Sequence, residues 1–264
     1  MPRKKETLSV QEIWEKQNTN QIIAFGSGKG GVGKTFLTIS LAQELVNQGK
    51  KVLVFDGDLG LPNVDIALGL EPKTDLGDVL IKSYPLNQAI SKSSGMDVIA
   101  GCSGTAALLD VSEEKLAQLM DDLKVLARHY DYVLIDLGTG LEKTVRQLVA
   151  CAKKVVVVCT EELTSLVDAY AFMKMLGSIG IGGKKTAVLV NQVNAHAEGK
   201  EVYETLLKTC ENFLKETPRY LGSIRKDTRV REAFKKQQSI ATICPDAEVV
   251  QDIKDVLKEL ENHA

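Results

Sequence analysis

The run Gly28-Lys29-Gly30-Gly31-Val32-Gly33-Lys34-Thr35 constrains this chain more than any other stretch. It satisfies the pattern G-x-x-x-x-G-K-[ST] in full, follows an apolar run at Ile22–Phe25 and precedes a helical pattern beginning near Phe36. A strand, a glycine loop and a helix in that order predict a phosphate cradle. The glycines let successive backbone N–H groups curl around phosphate oxygens, and the positive end of the new helix points at them. Lys34 would set its ammonium against the β- and γ-phosphates, and Thr35 would offer its hydroxyl to Mg²⁺. Gly28, Lys29, Gly30, Gly31, Val32, Gly33, Lys34, Thr35 and Phe36 are thus the candidate nucleotide-binding set.

The rest of the chain supplies a sheet around such a loop. Short apolar runs occur at Val52–Phe55, Val98–Ala100, Val133–Ile135, Val155–Cys159, Ala187–Val190 and Tyr220–Ile224. Between most of them lie amphipathic stretches of helical length, among them Leu37, Leu41, Leu45 and Leu116, Leu119, Leu123, Leu126. Continuous apolar strands alternating with helices imply an α/β fold. The expectation is one mostly parallel, twisted sheet of about seven or eight strands, covered by helices on both faces. At 264 residues the chain buries a large core without disulfides or a structural metal. No linker or repeat divides it, so residues 21–264 read as one domain. Residues 1–20 read as a polar extension, with a helical candidate at Ser9 to Lys16 that carries the only tryptophan, Trp14.

Two acidic segments follow predicted strands. Val52–Phe55 runs into Asp56-Gly57-Asp58, and Val133–Ile135 into Asp136-Leu137-Gly138-Thr139-Gly140. In open α/β sheets ligands sit beyond the carboxyl ends of strands, so these carboxylates emerge where phosphates would lie. Asp136 is placed to hold Mg²⁺, and its glycines permit a backbone that responds to a γ-phosphate.

Composition removes other classes. Lys and Arg number 33 against 35 Asp and Glu, a net of −2, which argues against coating nucleic acid through overall charge. The longest apolar runs fall far short of the roughly 20 residues of a membrane span. The charged start Met1-Pro2-Arg3-Lys4-Lys5 has no apolar core behind it, so a cytoplasmic protein with reduced thiols is expected. Five scattered cysteines and three dispersed histidines give no zinc spacing.

Lys29 adds a second lysine near the start of the loop, and Lys-Gly-Gly-Val-Gly-Lys-Thr resembles the deviant Walker A motif of the MinD/ParA family. That resemblance covers roughly Gln21 to Leu260. It implies a single-domain P-loop NTPase that binds and slowly hydrolyses ATP to ADP with Mg²⁺. Lys29 would reach across an ATP-dependent homodimer to the partner's nucleotide, joining Lys34 and Asp58 as catalytic residues. Asp56-Gly57-Asp58, with Asn63 after it, resembles the family's switch I, in which Asp58 orients the attacking water and Asp56 assists through the metal's hydration shell. Asp136 to Gly140 resembles switch II, with Thr139 where the family usually has alanine. Thr35, Asp56 and Asp136 are then the metal set. The family's asparagine at the position of Asn191 contacts adenine, while Ser223 to Asp227 lacks the proline usual in its later adenine loop.

The stretch Asp56 to Leu70, with Thr164 to Tyr170 and Val230 to Ala233, is similar to the FlhG/FleN branch, which counts and places flagella. By that resemblance an FlhF-like GTPase or flagellar components are the partners, reached through the dimer or the N-terminal segment. Val10-Gln11-Glu12-Ile13-Trp14 occupies the place of the branch's activating element without matching it. The last helix shows an apolar stripe of Val249, Val250, Ile253, Val256, Leu257 and Leu260 opposite a net-acidic face that includes Asp252. Membrane-surface helices carry basic polar faces, so packing on the domain is expected. Six basic residues between Arg225 and Lys236 leave a ParA-type, DNA-binding ATPase as the alternative. An iron–sulfur relative would need cysteines near switch II or a C-x-x-C, and neither is present.

Overall fold

The structure is a computed structural model that describes residues 21–102 and 111–262. Eight strands form one sheet in the order β3-β4-β2-β5-β1-β6-β7-β8. They are β1 (Gln21–Ser27), β2 (Val52–Gly57), β3 (Ile90–Ser93), β4 (Met96–Ile99), β5 (Tyr132–Thr139), β6 (Lys154–Cys159), β7 (Thr186–Val193) and β8 (Arg219–Arg225). Every neighbouring pair is parallel except β3 with β4.

Alternation along the strands feeds two cores. Ile22 and Ala24 of β1 face one side, Ile23 and Phe25 the other. Leu53 and Phe55 of β2 oppose Val52 and Val54 in the same way. Helices α1 (Lys34–Asn47), α2 (Val64–Leu68), α8 (Arg229–Lys235), α9 (Ile240–Ile243) and α10 (Glu248–Glu261) cover one face. The other is covered by α3 (Leu76–Lys82), α4 (Glu113–Ala127), α5 (Lys143–Ala150), α6 (Leu163–Ser178) and α7 (His196–Phe213). Strands buried on both faces read as unbroken apolar runs, which is why seven of the eight were visible in sequence.

The eighth, β3, reads Ile-Ser-Lys-Ser and has no run to see. It forms because Ser94 and Gly95 both take positive φ, 49° and 83°, making a two-residue hairpin turn onto β4. Two further differences concern the acids. The sequence reading ended the strands before Asp56 and Asp136, whereas the parallel ladder continues through Asp56↔Asp136 and Gly57↔Leu137. Both carboxylates therefore sit within adjacent strands.

The stripe on α10 is wholly buried in the core. Six aliphatic side chains at about 1.5–3 kcal/mol each make exposing this helix face to water cost on the order of 10 kcal/mol. Asp252 departs from its assignment to the polar face. It is 2% exposed and accepts a two-pronged pair from Arg225, at 3.0 Å from Nε and 2.8 Å from Nη2. His196 Nε2 lies 3.2 Å from the same carboxylate. No described helix is long and apolar enough to cross a membrane. None of the five cysteines forms a disulfide. The helix expected at Ser9 to Lys16, with Trp14, lies outside the described residues.

Candidate functional site

Strand order brings the candidate residues together. β1, β5 and β2 are adjacent, so the loop after β1 stands beside Asp136 and Asp56 at the carboxyl ends of three neighbouring strands. The loop's shape depends on glycine at two points. Gly33 has φ 93°, and a β-carbon there would lie 2.3 Å from the Asn191 amide nitrogen. Gly28 packs so closely on α6 that a β-carbon would meet the Asp168 carbonyl oxygen at 2.3 Å. Gly33 also caps α1 without a side-chain hydrogen bond, leaving the first N–H groups of that helix directed into the loop.

Lys34 is buried, and its ammonium donates to Ser27 Oγ at 3.0 Å. Ser27 in turn donates to the Lys29 carbonyl at 2.6 Å. Burial pulls the Lys34 pKa below its ordinary value, against the opposing pull of Asp136 and Asp58. Thr35 donates its hydroxyl to Asp136 Oδ2 at 2.5 Å. The other oxygen, Asp136 Oδ1, is buried with no hydrogen-bond partner among the described residues. Burial raises the Asp136 pKa to about 6, although Thr35 and Lys34 act to lower it. A buried, unsatisfied carboxylate oxygen next to a threonine hydroxyl fits a hard divalent cation such as Mg²⁺.

Asp56 is arranged differently. Its Oδ1 accepts from the Asp58 N–H at 3.1 Å, and its Oδ2 from those of Asn63 and Val64 at 3.1 and 3.0 Å. The fully buried carboxylate thus anchors both ends of the segment 58–64, and any metal-bound water it held would share those oxygens. Burial, then the neighbouring Asp136 charge, raises its pKa to about 7. Asp58 is partly exposed, and its Oδ1 accepts from Gly60 and Leu61 at 3.1 and 2.9 Å. Gly138 leaves space for it, since a β-carbon there would stand 3.3 Å from the carboxylate.

Lys29 does not point at its own loop. Its ammonium is paired with Glu162 and donates to Thr164 Oγ1 at 2.8 Å, at the start of α6. These partners lie more than 130 residues away, so local sequence carried no signal for them. Ser27, one residue before the loop, was within reach of sequence reasoning.

Asn191 is buried and donates from Nδ2 to the Val32 carbonyl at 2.8 Å, while Gln192 donates to the Gly31 carbonyl at 3.1 Å. Beside them opens a cleft of about 480 Å³, bordered by Gly33, Phe36, Asn191, Thr228 and Val249. That volume lies within the range of small-molecule sites. Within the basic run, Arg225 is tied to Asp252 and Glu248, and Arg229 to Asp227.

Residues 23–240 match the CobQ/CobB/MinD/ParA nucleotide-binding domain. The chain is 32% identical over 243 residues to the antiactivator FleN of Pseudomonas aeruginosa, an overlap of 92% of this chain and 86% of FleN. It is 29% identical over 249 residues to the flagellum site-determining protein YlxH of Helicobacter pylori, covering 93% of this chain and 83% of YlxH. The septum site-determining protein MinD of Pyrococcus horikoshii, complexed with Mg-ADP, superposes with a TM-score of 0.78 at 23% identity, over 92% of this chain and 96% of that one. The chain belongs to the CobQ/CobB/MinD/ParA family of nucleotide-binding domains, among its MinD/ParA ATPases.

Proposed function

We propose that this protein is an ATP-dependent dimerisation switch that hydrolyses ATP slowly and regulates the placement or number of flagella from the cytoplasm. The convergence of buried Lys34 with the unsatisfied Asp136 oxygen carries the reading. A buried cation and an orphaned acceptor at one glycine loop suit a phosphate chain and its metal. Thr35 and Asp136 would hold Mg²⁺, which when bound would offset the charge of the phosphates. The N–H groups of the loop and the Lys34 ammonium would hold the phosphates. Asp56 fixes the backbone of Asp58, and Asp58 would orient the attacking water. Phe36 and Asn191 border the cleft that suits the base.

In the single chain Lys29 rests on Glu162 and Thr164. To act on a partner's nucleotide it must leave both. A surface pair of this kind contributes at most about 1 kcal/mol, so a phosphate chain can displace it. The surroundings suit a second copy. Leu61 and Leu163 are each 77% exposed, and Leu141 and Val167 are also uncovered, all beyond the carboxyl ends of the strands. Moving such a switch from 1:99 to 99:1 takes about 5.5 kcal/mol of differential binding. Two γ-phosphates, each contacted from both subunits, are the source we assign to it.

The flagellar assignment rests on the resemblance to FleN and YlxH. Residues 1–20 are proposed as an extension that contacts an FlhF-like GTPase or another flagellar protein. DNA binding through residues 225–236 is less well supported, because two of the six basic side chains there are held by carboxylates. The test is the solution mass of Asp58→Ala by light scattering. A mass near twice 28.8 kDa with Mg-ATP and a monomer with Mg-ADP is expected. A monomer with both nucleotides would overturn the switch, and absence of phosphate release by the wild type would overturn the ATPase.

A further inference from the structure

The pole opposite the nucleotide site holds four cations around one hollow. Lys154 opens β6, Lys184 and Lys185 form the turn before β7, and Arg219 opens β8. Strand register sets them side by side. Val155 pairs with Thr186, which puts Lys154 beside Lys185, and Ala187 pairs with Arg219. Adjacent strands lie about 4.8 Å apart, so these charges crowd one edge of the sheet.

Among the described residues no carboxylate borders the hollow. None of the four cations makes an ion pair among the described residues. Glu216 accepts the Gly183 N–H at 2.5 Å, and Glu261 accepts from the Tyr132 hydroxyl at 3.5 Å. The partly buried Lys154 ammonium finds only the Leu260 carbonyl, at 3.3 Å. Burial and the Arg219 charge both pull its pKa below the ordinary value. In a chain whose net charge is −2, this is a local positive concentration in which no cation is ion-paired among the described residues.

The hollow's size selects what it can take. Its volume is about 90 Å³. That is well under the roughly 300–1,000 Å³ of sites that enclose whole small molecules. It leaves room for a few waters or one tetrahedral oxyanion. A guanidinium fork with three ammonium groups suits a phosphate, which accepts from the fork by two parallel bonds and from ammonium groups as point charges. We infer that the hollow bordered by Lys154, Lys184, Lys185 and Arg219 is a second anion site that takes one phosphate-type group. A soluble phosphate or a phospholipid headgroup can present it. In the second case the pole from which β1 enters the fold would face the bilayer.

The test uses the full chain saturated with Mg-ADP, so that the phosphate loop is already filled. Inorganic phosphate is titrated against sodium chloride of matched ionic strength while the amide resonances of Thr186, Ala187 and Tyr220 are followed by NMR. Saturable shifts with phosphate only are expected, with affinity about tenfold weaker in Arg219→Gln. The exposed Lys185→Gln should weaken it as well, and unchanged ADP affinity in both variants would show that each is folded. Co-sedimentation with phosphatidylglycerol vesicles, lost with phosphatidylcholine and in Arg219→Gln, would identify the headgroup as the source. Saturable phosphate binding without vesicle binding would identify a soluble phosphate. Shifts that chloride reproduces, or that persist unchanged in both variants, together with no charge-dependent sedimentation, would overturn the proposal.

Discussion

Replacing Asp136 by Asn should make the ligand-free protein more stable at neutral pH while weakening its response to Mg-nucleotide. Asp136 is buried, one of its oxygens is unsatisfied, and its pKa is raised from 3.8 to about 6. Below pH 3.8 the carboxyl is protonated in folded and unfolded chains alike. Between 3.8 and about 6 the unfolded chain releases the proton first, so stability falls as pH rises. The full loss is equivalent to about 3 kcal/mol and is complete above the folded value. Asparagine removes the ionisation and keeps an acceptor for Thr35. Part of the gain is offset because Lys34 loses a counter-charge, which leaves about 1–3 kcal/mol. For a domain of this size each kcal/mol moves Tm by about 2–4 °C. The assay is urea or thermal unfolding of wild type and Asp136→Asn, without Mg²⁺ or nucleotide, from pH 4 to 8. The difference between the two reports Asp136 together with the part of the Asp56 shift that the Asp136 charge causes. It should start near zero at pH 4 and reach its full value by pH 8. An Asn variant less stable than wild type at pH 8, or a difference independent of pH, would refute the picture of an unpaired buried carboxylate awaiting a cation.

Lys34→Ala should abolish nucleotide binding, as measured by calorimetry with ADP; retained affinity would contradict the assignment of the loop. Gly33→Ala combines left-handed strain of about 1–2 kcal/mol with a collision at Asn191, so lowered Tm and at least about tenfold weaker ADP binding are expected together. A variant that matches wild type in both would show that the loop relaxes freely. Arg225→Ala leaves the buried Asp252 carboxylate with only the backbone N–H of residue 225 and His196 among the groups that now hold it, and should cost roughly 3 kcal/mol in urea unfolding, whereas a loss under about 1 kcal/mol would mean that the pair carries little net energy.

The glycine loop, its flanking strand and helix, and the acids of β2 and β5 were legible because each is encoded within a few neighbouring residues. The apolar stripe of α10 was legible for the same reason. What escaped was set by tertiary contact. Asp252 looked like one more acid on a charged face, because its partner Arg225 is 27 residues distant. Glu162 carried no signal, and Thr164 none beyond the branch resemblance; their contact with Lys29 is visible only once α6 rests beside the loop. The resemblance gave Asp56 a role through a metal's hydration shell, and only the fold reveals the three amide groups its oxygens also serve. β3 escaped for a different reason: its pairing comes from a turn, and its residues carry no apolar pattern.

The two amide side chains at the end of β7 have a consequence of their own. A trans peptide is planar, so its carbonyl and the following N–H point in opposite directions. Asn191 pins the Val32 carbonyl, which fixes where the Gly33 N–H is aimed; Gln192 pins the Gly31 carbonyl and so aims that of Val32. Two donors of the loop are thus steered from behind by a strand two places away in the sheet. Their direction is decided before any anion arrives, and little reorganisation is left for binding to drive.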